Sequence, residues 1–242
     1  MRELLCILYI IFYTLGTAPL RFKYRKQLEG DFPESARKEI HKMAQKLCKG
    51  ILKIIGADVQ IKGKENLPEH GPAVYIGTHK SYLDIVVMIA TIDDPILFIG
   101  KAEVKKLPFV RVWFRDIGGL YMDRSDMRQS FKVIIDGIEK LKNGHSVAIF
   151  PEGTRKMSRE INDFKAGSFK LATKANVPIV PIAMQDTFKL LEEHRRATPS
   201  KVYVNVGKPI DVVNLTKEQK QTIAKDTQLY IKQLLDEAVI SS

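Results

Sequence analysis

From Ala57 to the end of the chain, short apolar runs alternate with longer amphipathic segments. The apolar runs predict strands at Asp58–Ile61, Ala73–Gly77, Ile96–Gly100, Gly119–Asp123, Ser146–Phe150, Ile179–Ala183 and Lys201–Val206. The amphipathic segments predict helices at Tyr82–Thr91, Asp126–Lys142, Phe169–Asn176 and Lys217–Val239. Several strands lack polar alternation, which is typical of strands buried on both faces. The pattern predicts one α/β domain over residues 57–242, with a central mostly parallel or mixed sheet of about seven strands flanked by helices.

Residues 1–56 show a different pattern. Leu4–Leu20 contains no charged residue and predicts an apolar helix, but it is shorter than the about 20 residues that span a bilayer. Glu34–Ile55 predicts an amphipathic helix that starts at Asp31 or Pro33 and carries a stripe of lysines. Such a helix either packs on a core with its lysines in solvent or lies on a membrane. The apolar helix before it favours a membrane-associated two-helix hairpin.

Basic residues connect these two helices, at Arg21, Lys23, Arg25 and Lys26. The positive-inside rule places the rest of the chain in the cytoplasm, and the basic side chains would be attracted to anionic headgroups. A cleaved signal peptide is disfavoured because Pro19 follows the nearest small-residue site. We therefore expect a monotopic protein, anchored in one leaflet at the cytoplasmic face of the cell membrane.

Composition narrows the class of protein. The chain has 242 residues, of which 45% are hydrophobic, and this excludes a mainly disordered chain. Its net charge of +11 indicates an anionic partner, such as nucleic acid, a phospholipid surface or a phosphorylated substrate. Two cysteines cannot form a disulfide framework, and no Cys/His cluster has zinc-site spacing. We expect a reducing compartment and no metal.

Common catalytic motifs of dehydrogenases, nucleotidases, serine hydrolases and metalloproteases are missing from the sequence. The segment Thr78–Asp84 instead places a histidine, His79, at a strand-to-helix turn, where open α/β sheets tend to hold their sites. Asp84 falls in the first turn of the following helix, within reach of one imidazole nitrogen. That contact would fix the tautomer and make the other nitrogen a base. The alternative is a helix start at which Asp84 complements the dipole and His79 is incidental.

Three more segments follow strands in the same way. Phe150–Arg155 places Glu152 and Arg155 after a buried strand, where they either bind substrate or pair with each other. Gly118–Arg124 delivers Arg124 to a strand end, and the simpler alternative is a surface arginine after a turn. Val177–Pro181 is apolar with two prolines, and predicts an edge strand or a wall of the site.

Together and in this order, His-x4-Asp, GGLYMDR, FPEGTR and VPIVP resemble the four motifs of the glycerolipid acyltransferases, and most closely the bacterial PlsC type of lysophosphatidic acid acyltransferase. Two further segments, Lys101–Phe109 and Phe164–Gly167, are also similar to that family. The resemblance covers about Asn66 to Lys208. Tyr121, where the family often has Phe, is a mild departure.

The resemblance implies a reaction. An acyl chain passes from acyl-CoA or acyl carrier protein to the sn-2 hydroxyl of 1-acyl-sn-glycerol-3-phosphate, giving phosphatidic acid. His79 and Asp84 would act as a general-base pair, without a covalent enzyme intermediate and without a metal or other cofactor. The motifs supply candidate substrate-binding residues, namely Arg124, Glu152, Gly153, Thr154, Arg155, Lys105 and Lys165. The expected partners are lysophosphatidic acid, the acyl donor and the phospholipid bilayer.

Other functions stay open at this point. The acceptor could be glycerol-3-phosphate or a different lysophospholipid, since these enzymes share the motifs. The same residues could activate water in a thioesterase. A noncatalytic membrane-binding module would not need His79 together with Asp84. Nucleic-acid binding is disfavoured because no basic patch is interleaved with aromatic residues.

Overall fold

The computed structural model describes residues 1–28, 33–69 and 71–240. All seven predicted strands are present, at Ala57–Lys62 (β1), Val74–Gly77 (β2), Ile96–Lys101 (β3), Leu120–Met122 (β4), Ser146–Ile149 (β5), Ile179–Gln185 (β6) and Ser200–Val206 (β7). They form one sheet in the order β1-β7-β6-β2-β5-β3-β4. Every pairing is parallel except that of β6 with β7, so the sheet is mixed and mostly parallel, as predicted.

The helices are Arg2–Gly16 (α1), Ala18–Gln27 (α2), Pro33–Ile55 (α3), Leu83–Thr91 (α4), Pro108–Asp116 (α5), Met127–Lys142 (α6), Lys170–Ala175 (α7) and Lys217–Ile240 (α8). Hydrophobic residues of α1, α3, α4 and α5 form the core on one face of the sheet. Those of α6, α7 and α8 form the core on the other face. In β2, Tyr75 faces the first core and Val74 and Ile76 face the second. Burial on both faces explains the strands without polar alternation.

The sequence pattern did not predict α5. Its first residue is Pro108, and its buried residues Trp113 and Phe114 are separated from the next apolar run by charged and glycine residues. Pro108 is favourable there because a first-turn residue needs no backbone N–H partner. The segment from Lys101 to Asp116 thus connects β3 to β4 through a 3₁₀ turn and a short helix.

The prediction of an edge strand at Val177–Pro181 is wrong, since β6 lies between β2 and β7. Pro181 is tolerated in this inner strand because the pairing of β6 with β7 has a gap at that position. Ile179 bonds with Ile210 on the β7 side, and the carbonyl of Pro181 accepts from the Gly207 N–H. The antiparallel ladder with β7 begins only at Ile182, so the missing N–H of Pro181 falls between the two sets of bonds.

The apolar N-terminal segment forms two helices rather than one. The axes of α1 and α2 are bent by 54° at the break between them. Pro19 cannot donate a backbone hydrogen bond, which accounts for the break. Among the described residues no single helix is long and apolar enough to cross a membrane, and only this bent pair passes that test by length and composition.

Helix α3 packs with its apolar face in the core, including Ala44, Leu47 and Ile51, while its lysines are exposed. Of the two interpretations open from the sequence, the structure therefore supports the core-packing one for this helix. It begins at Pro33, and the alternative start at Asp31 lies outside the described residues. Exposed apolar surface at the N-terminus is instead a property of α1 and α2.

Arg21 does not lie with the other basic residues at the surface. It is buried, and its guanidinium donates to the Asp116 carboxylate at 2.5 Å and to the Thr14 carbonyl at 2.6 Å. It also lies over the Trp113 ring, 4.7 Å from its centre. The prediction that Arg21 contacts headgroups is therefore wrong, since its charge is already paired inside the protein and joins α2 to α5.

Candidate active site

His79 and Asp84 meet at the turn between β2 and α4, at the carboxyl end of a central strand. The imidazole Nδ1 lies 2.8 Å from Asp84 Oδ2, as the sequence predicted. The aspartate side chain is fully buried, and that of His79 is 16% exposed. The hydroxyl of Thr78 anchors the turn by donating to the carbonyl of Met184 on β6 and accepting from its N–H.

The Asp84 carboxylate accepts three further hydrogen bonds. The backbone N–H groups of Lys80 and Ser81 donate to Oδ2 at 2.6 and 2.8 Å, and the Thr187 hydroxyl donates to Oδ1 at 2.5 Å. A carboxylate that receives this many donors is stabilised in its ionised form although it is buried. An ionised carboxylate can only accept, so Nδ1 of His79 carries the proton and Nε2 has a free lone pair.

The ring of His79 is also held from the side. It stacks on Phe150 with centroids 4.2 Å apart and planes 9° apart. Nε2 forms no hydrogen bond with any residue in the described ranges. The arrangement is an imidazole with a fixed orientation, a fixed tautomer and an open nitrogen, as a general base requires.

Glu152 braces the same turn through the backbone. Its carboxylate accepts from the His79 N–H at 2.7 Å and from the Asn162 N–H at 2.8 Å. Burial raises its pKa, while these two hydrogen bonds act in the opposite direction. Both oxygens are occupied, so Glu152 positions the histidine and the FPEGTR loop. It is not the ion-pair partner of Arg155.

Arg155 lies against the His79 turn. Its guanidinium is 3.4 Å from the centre of the Tyr82 ring and 3.5 Å from Glu192 Oε1. The Glu192 carboxylate in addition accepts from the Ser81 hydroxyl and from the Tyr82 N–H, both at 2.8 Å. One partly buried glutamate therefore contacts both the start of α4 and the arginine.

The rest of the FPEGTR loop is compact. Gly153 has φ +75°, and a Cβ at that position would lie 2.8 Å from Nζ of Lys165. The backbone N–H of Lys165 donates to the Pro151 carbonyl at 3.0 Å. Thr154 and the Lys165 side chain are exposed beside the loop. Glycine is required here both for its backbone conformation and for the close approach of the lysine.

Lys105 and Arg124 lie further along the same edge of the sheet. Lys105 is in the 3₁₀ turn after β3, with its ammonium 4.8 Å from the centre of the Tyr121 ring. Arg124 follows β4, the edge strand, and is exposed. Arg124 interacts electrostatically with Glu103. Arg155 follows β5, so Lys105 follows the neighbouring strand and Arg124 the strand after that.

Thr187 and Glu192 were not predicted from the sequence. Thr187 comes just after β6, which is parallel to β2 and ends at the same edge, so the rule that selected His79 would have selected it too. Glu192 lies in an irregular segment and has no sequence signal. No three His, Cys, Asp or Glu side chains converge as a metal site would require in residues 1–28, 33–69 and 71–240. A cavity of about 810 Å³ at the amino ends of the strands is remote from His79.

The fold and this site define an acyltransferase. Residues 58–185 match the family named Acyltransferase, and the chain belongs to that family. A relative from Borreliella burgdorferi, a 1-acyl-sn-glycerol-3-phosphate acyltransferase, is 27% identical over 171 residues, which are 70% of this chain and 68% of that protein. One of the same name from Saccharomyces cerevisiae is 33% identical over 171 residues, 69% of this chain and 56% of that protein.

A solved structure shares the whole architecture. The 1-acyl-sn-glycerophosphate (LPA) acyltransferase PlsC from Thermotoga maritima has a TM-score of 0.76 and 27% identity, covering 98% of this chain and 97% of that chain. The predicted family resemblance is confirmed, and so is the α/β fold.

Proposed function

We propose that the protein transfers an acyl chain from a thioester to the sn-2 hydroxyl of 1-acyl-sn-glycerol-3-phosphate, giving phosphatidic acid. The names of its relatives support this acceptor. The observation that carries the proposal is the His79–Asp84 pair, in which a buried and fully bonded carboxylate leaves Nε2 of the imidazole free as a base.

The chemistry requires one base and no enzyme nucleophile. Nε2 of His79 accepts the proton of the acceptor hydroxyl as its oxygen attacks the thioester carbonyl. The tetrahedral intermediate collapses, the C–S bond breaks, and the thiolate takes the proton from the imidazolium. The negative charge of Asp84 stabilises the positive charge that develops on the imidazole ring. General-base catalysis of this kind contributes about 10²–10⁴ in rate. Because the thioester is already activated, the mechanism needs no covalent enzyme intermediate and no cofactor.

Arg155 is the cation that fits the acceptor phosphate. Roughly four bonds separate the sn-2 oxygen from the phosphorus, a span of about 5 Å at about 1.2 Å per bond. Arg155 stacks on Tyr82, three residues after His79, so it lies beside the turn that carries the base. Its guanidinium can present two donors to a phosphate. Thr154 and Lys165 are exposed next to it, and Gly153 allows the loop to approach.

The bilayer is the source of the acceptor, and we propose that α1 and α2 contact it. Their exposed apolar side chains are Leu4, Leu5, Ile7, Leu8, Phe12, Leu15, Leu20 and Phe22. Lys23 and Lys26 are exposed beside them and suit anionic headgroups. The 15 residues of α1 extend only about 22 Å, less than the ~30 Å hydrocarbon core. The proposal is insertion into one leaflet from the cytoplasmic face.

Flotation with anionic vesicles tests the contact with the bilayer. Replacing Ile7 and Phe12 by Ser should release the protein from vesicles while preserving its fold, since both side chains are exposed. Phe131 on α6 is similarly exposed, at 60%, so Phe131→Ser is the matched control and should not change binding. Labelling near Met1 from the outer face of sealed vesicles would contradict insertion into one leaflet.

The reaction is tested with purified protein, lysophosphatidic acid and either acyl-CoA or acyl carrier protein. Phosphatidic acid should form, and glycerol-3-phosphate or lysophospholipids with larger headgroups should be poorer acceptors. Release of free fatty acid at the same rate with and without acceptor would show a thioesterase instead.

A further inference from the structure

Lys80 is a buried cation next to His79 that takes no direct part in the proton transfer. Its side chain is fully buried, whereas lysine is almost always found at a protein surface unless its charge is paired. Resting on the proposed function, we propose that Lys80 is a positioning residue whose positive charge offsets the carboxylates around His79, and so keeps the imidazole neutral and able to accept a proton.

Two contacts hold Lys80 between the catalytic turn and the loop of residues 156–162, which follows FPEGTR. Its backbone N–H donates to Asp84 Oδ2 at 2.6 Å. Its ammonium donates to the backbone carbonyl of Glu160 in the loop. A third contact joins the same two segments, since the Lys156 N–H donates to the carbonyl of His79 at 3.0 Å. The Lys80 side chain therefore extends from the turn to the loop inside the protein.

The buried charges around His79 are unbalanced without this lysine. Asp84 is bonded to the imidazole, and Glu152 accepts the His79 N–H. Both carboxylates are buried, and both attract the Lys80 ammonium. Burial lowers the pKa of Lys80, and the negative charges of Glu152 and Asp84 act in the opposite direction. A buried charge that loses its counter-charge is strongly destabilised, so the ammonium and the carboxylates depend on each other.

The other charged side chains near the turn already have partners. These pairs are Arg155 with Glu192, Lys156 with Glu160, and Asp186 with both Arg159 and Lys189. Each pair includes a side chain that is partly or fully exposed, so solvent screens its charge. Lys80 is buried, and its charge acts on the two carboxylates with little screening.

The sign of the effect on catalysis follows from the role of His79. The base works only while Nε2 is unprotonated, and negative charge nearby favours the protonated ring. Removing the ammonium leaves the charges of Asp84 and Glu152 uncompensated. The imidazole then becomes protonated at a higher pH, and a smaller fraction of the enzyme carries a free base under acidic conditions.

The first test measures kcat/KM for acyl transfer against pH in variants of the full-length protein. Lys80→Met removes the charge and keeps most of the side-chain volume. The acid limb of its profile should lie about one pH unit higher than that of the wild type, a loss of about tenfold at a pH below both limbs. Lys80→Arg keeps the charge and should keep the limb in place. Lys156→Ala is the matched control, because it removes a partly exposed lysine from the adjoining loop and should move the limb little.

NMR titration of the His79 ring tests the same point without the reaction. The chain has five histidines, and the His79 signal is the one that is missing from the spectrum of His79→Ala. It should titrate at a higher pH in Lys80→Met and as in the wild type in Lys156→Ala. If Lys80→Met does not fold, the substitution is made in a Glu152→Gln background, where one charge of each sign is removed. It should shift the titration upward there by a similar amount relative to Glu152→Gln alone.

A Lys80→Met variant that is slower by the same factor at every pH, with an unchanged His79 titration, would overturn the proposal and leave Lys80 as a support for the loop. An equal shift in Lys156→Ala would overturn it too, because burial of the charge would then be irrelevant. If the wild type forms no phosphatidic acid, the proposed function fails, while the ring titration still decides the role of Lys80.

Discussion

The turn after β2 and the ends of β3 and β4 lie on the same edge of the sheet, yet they are built differently. At the turn, the Asp84 carboxylate receives four hydrogen bonds and is fully buried. At the ends of β3 and β4, Lys105 and Arg124 are exposed, and Lys105 contacts the face of the Tyr121 ring. Proton transfer needs groups fixed in one geometry, whereas an exposed cation can attract an anion without being held as tightly.

The most severe way to break the rigid region is His79→Ala. It removes the base, and acyl transfer should fall by about 10³-fold or more. The variant should still fold but unfold at a lower temperature, because it loses the stacking on Phe150 and one hydrogen bond to the buried Asp84. Formation of phosphatidic acid measures the effect. Near-normal turnover by a folded variant would show that His79 is not the base.

Thr187→Val tests whether the support of Asp84 matters for catalysis. Valine keeps the shape but removes the hydroxyl that donates to Oδ1 at 2.5 Å. We expect kcat to fall about tenfold with both KM values unchanged. A hydrogen bond to a buried charge contributes about 1.5 kcal/mol, and without it the carboxylate is held less firmly against the imidazole. Thr187→Ser restores the hydroxyl and should restore kcat. A Ser variant as slow as the Val variant would show that only packing is involved.

Glu192→Gln tests the connection between the turn and Arg155. The amide oxygen can still accept from the Tyr82 N–H, and the amide N–H can donate to the Ser81 hydroxyl, but the side chain loses the charge that orients the arginine 3.5 Å away. KM for lysophosphatidic acid should rise about fivefold, equivalent to about 1 kcal/mol for a partly exposed pair, with kcat nearly unchanged.

The neighbouring Glu193→Gln is the control for this variant, since Glu193 pairs with His194 at the surface. In an Arg155→Ala background, Glu192→Gln should have no further effect on KM for the acceptor. An additive effect would show that Glu192 acts on the turn and not through Arg155.

The same contrast explains what the sequence could predict. The strands and the His79–Asp84 pair depend on local patterns, namely apolar runs and a five-residue spacing, and these were found. Glu192 contacts Ser81, although 111 positions of the chain separate them. Arg21 pairs in the interior with Asp116, which lies 95 positions further along the chain. Pairings of that kind have no local pattern. The role of α3 was ambiguous for a related reason, because a lysine stripe looks the same in solvent and on a membrane.

The smallest expected effect belongs to Tyr82, whose ring lies under Arg155 at 3.4 Å but is itself exposed. A cation–π contact at an exposed site is worth about 0.5–1 kcal/mol. Tyr82→Leu should therefore raise KM for lysophosphatidic acid about two- to fivefold, because the guanidinium loses one of the two surfaces that orient it. Tyr82→Phe keeps the ring and should match the wild type, which separates the stacking contact from any role of the hydroxyl. Steady-state kinetics with the acceptor varied at saturating acyl-CoA measures both variants. If Tyr82→Phe were as impaired as Tyr82→Leu, the hydroxyl rather than the ring would be contributing to the site, and Arg155 would be oriented by Glu192 alone.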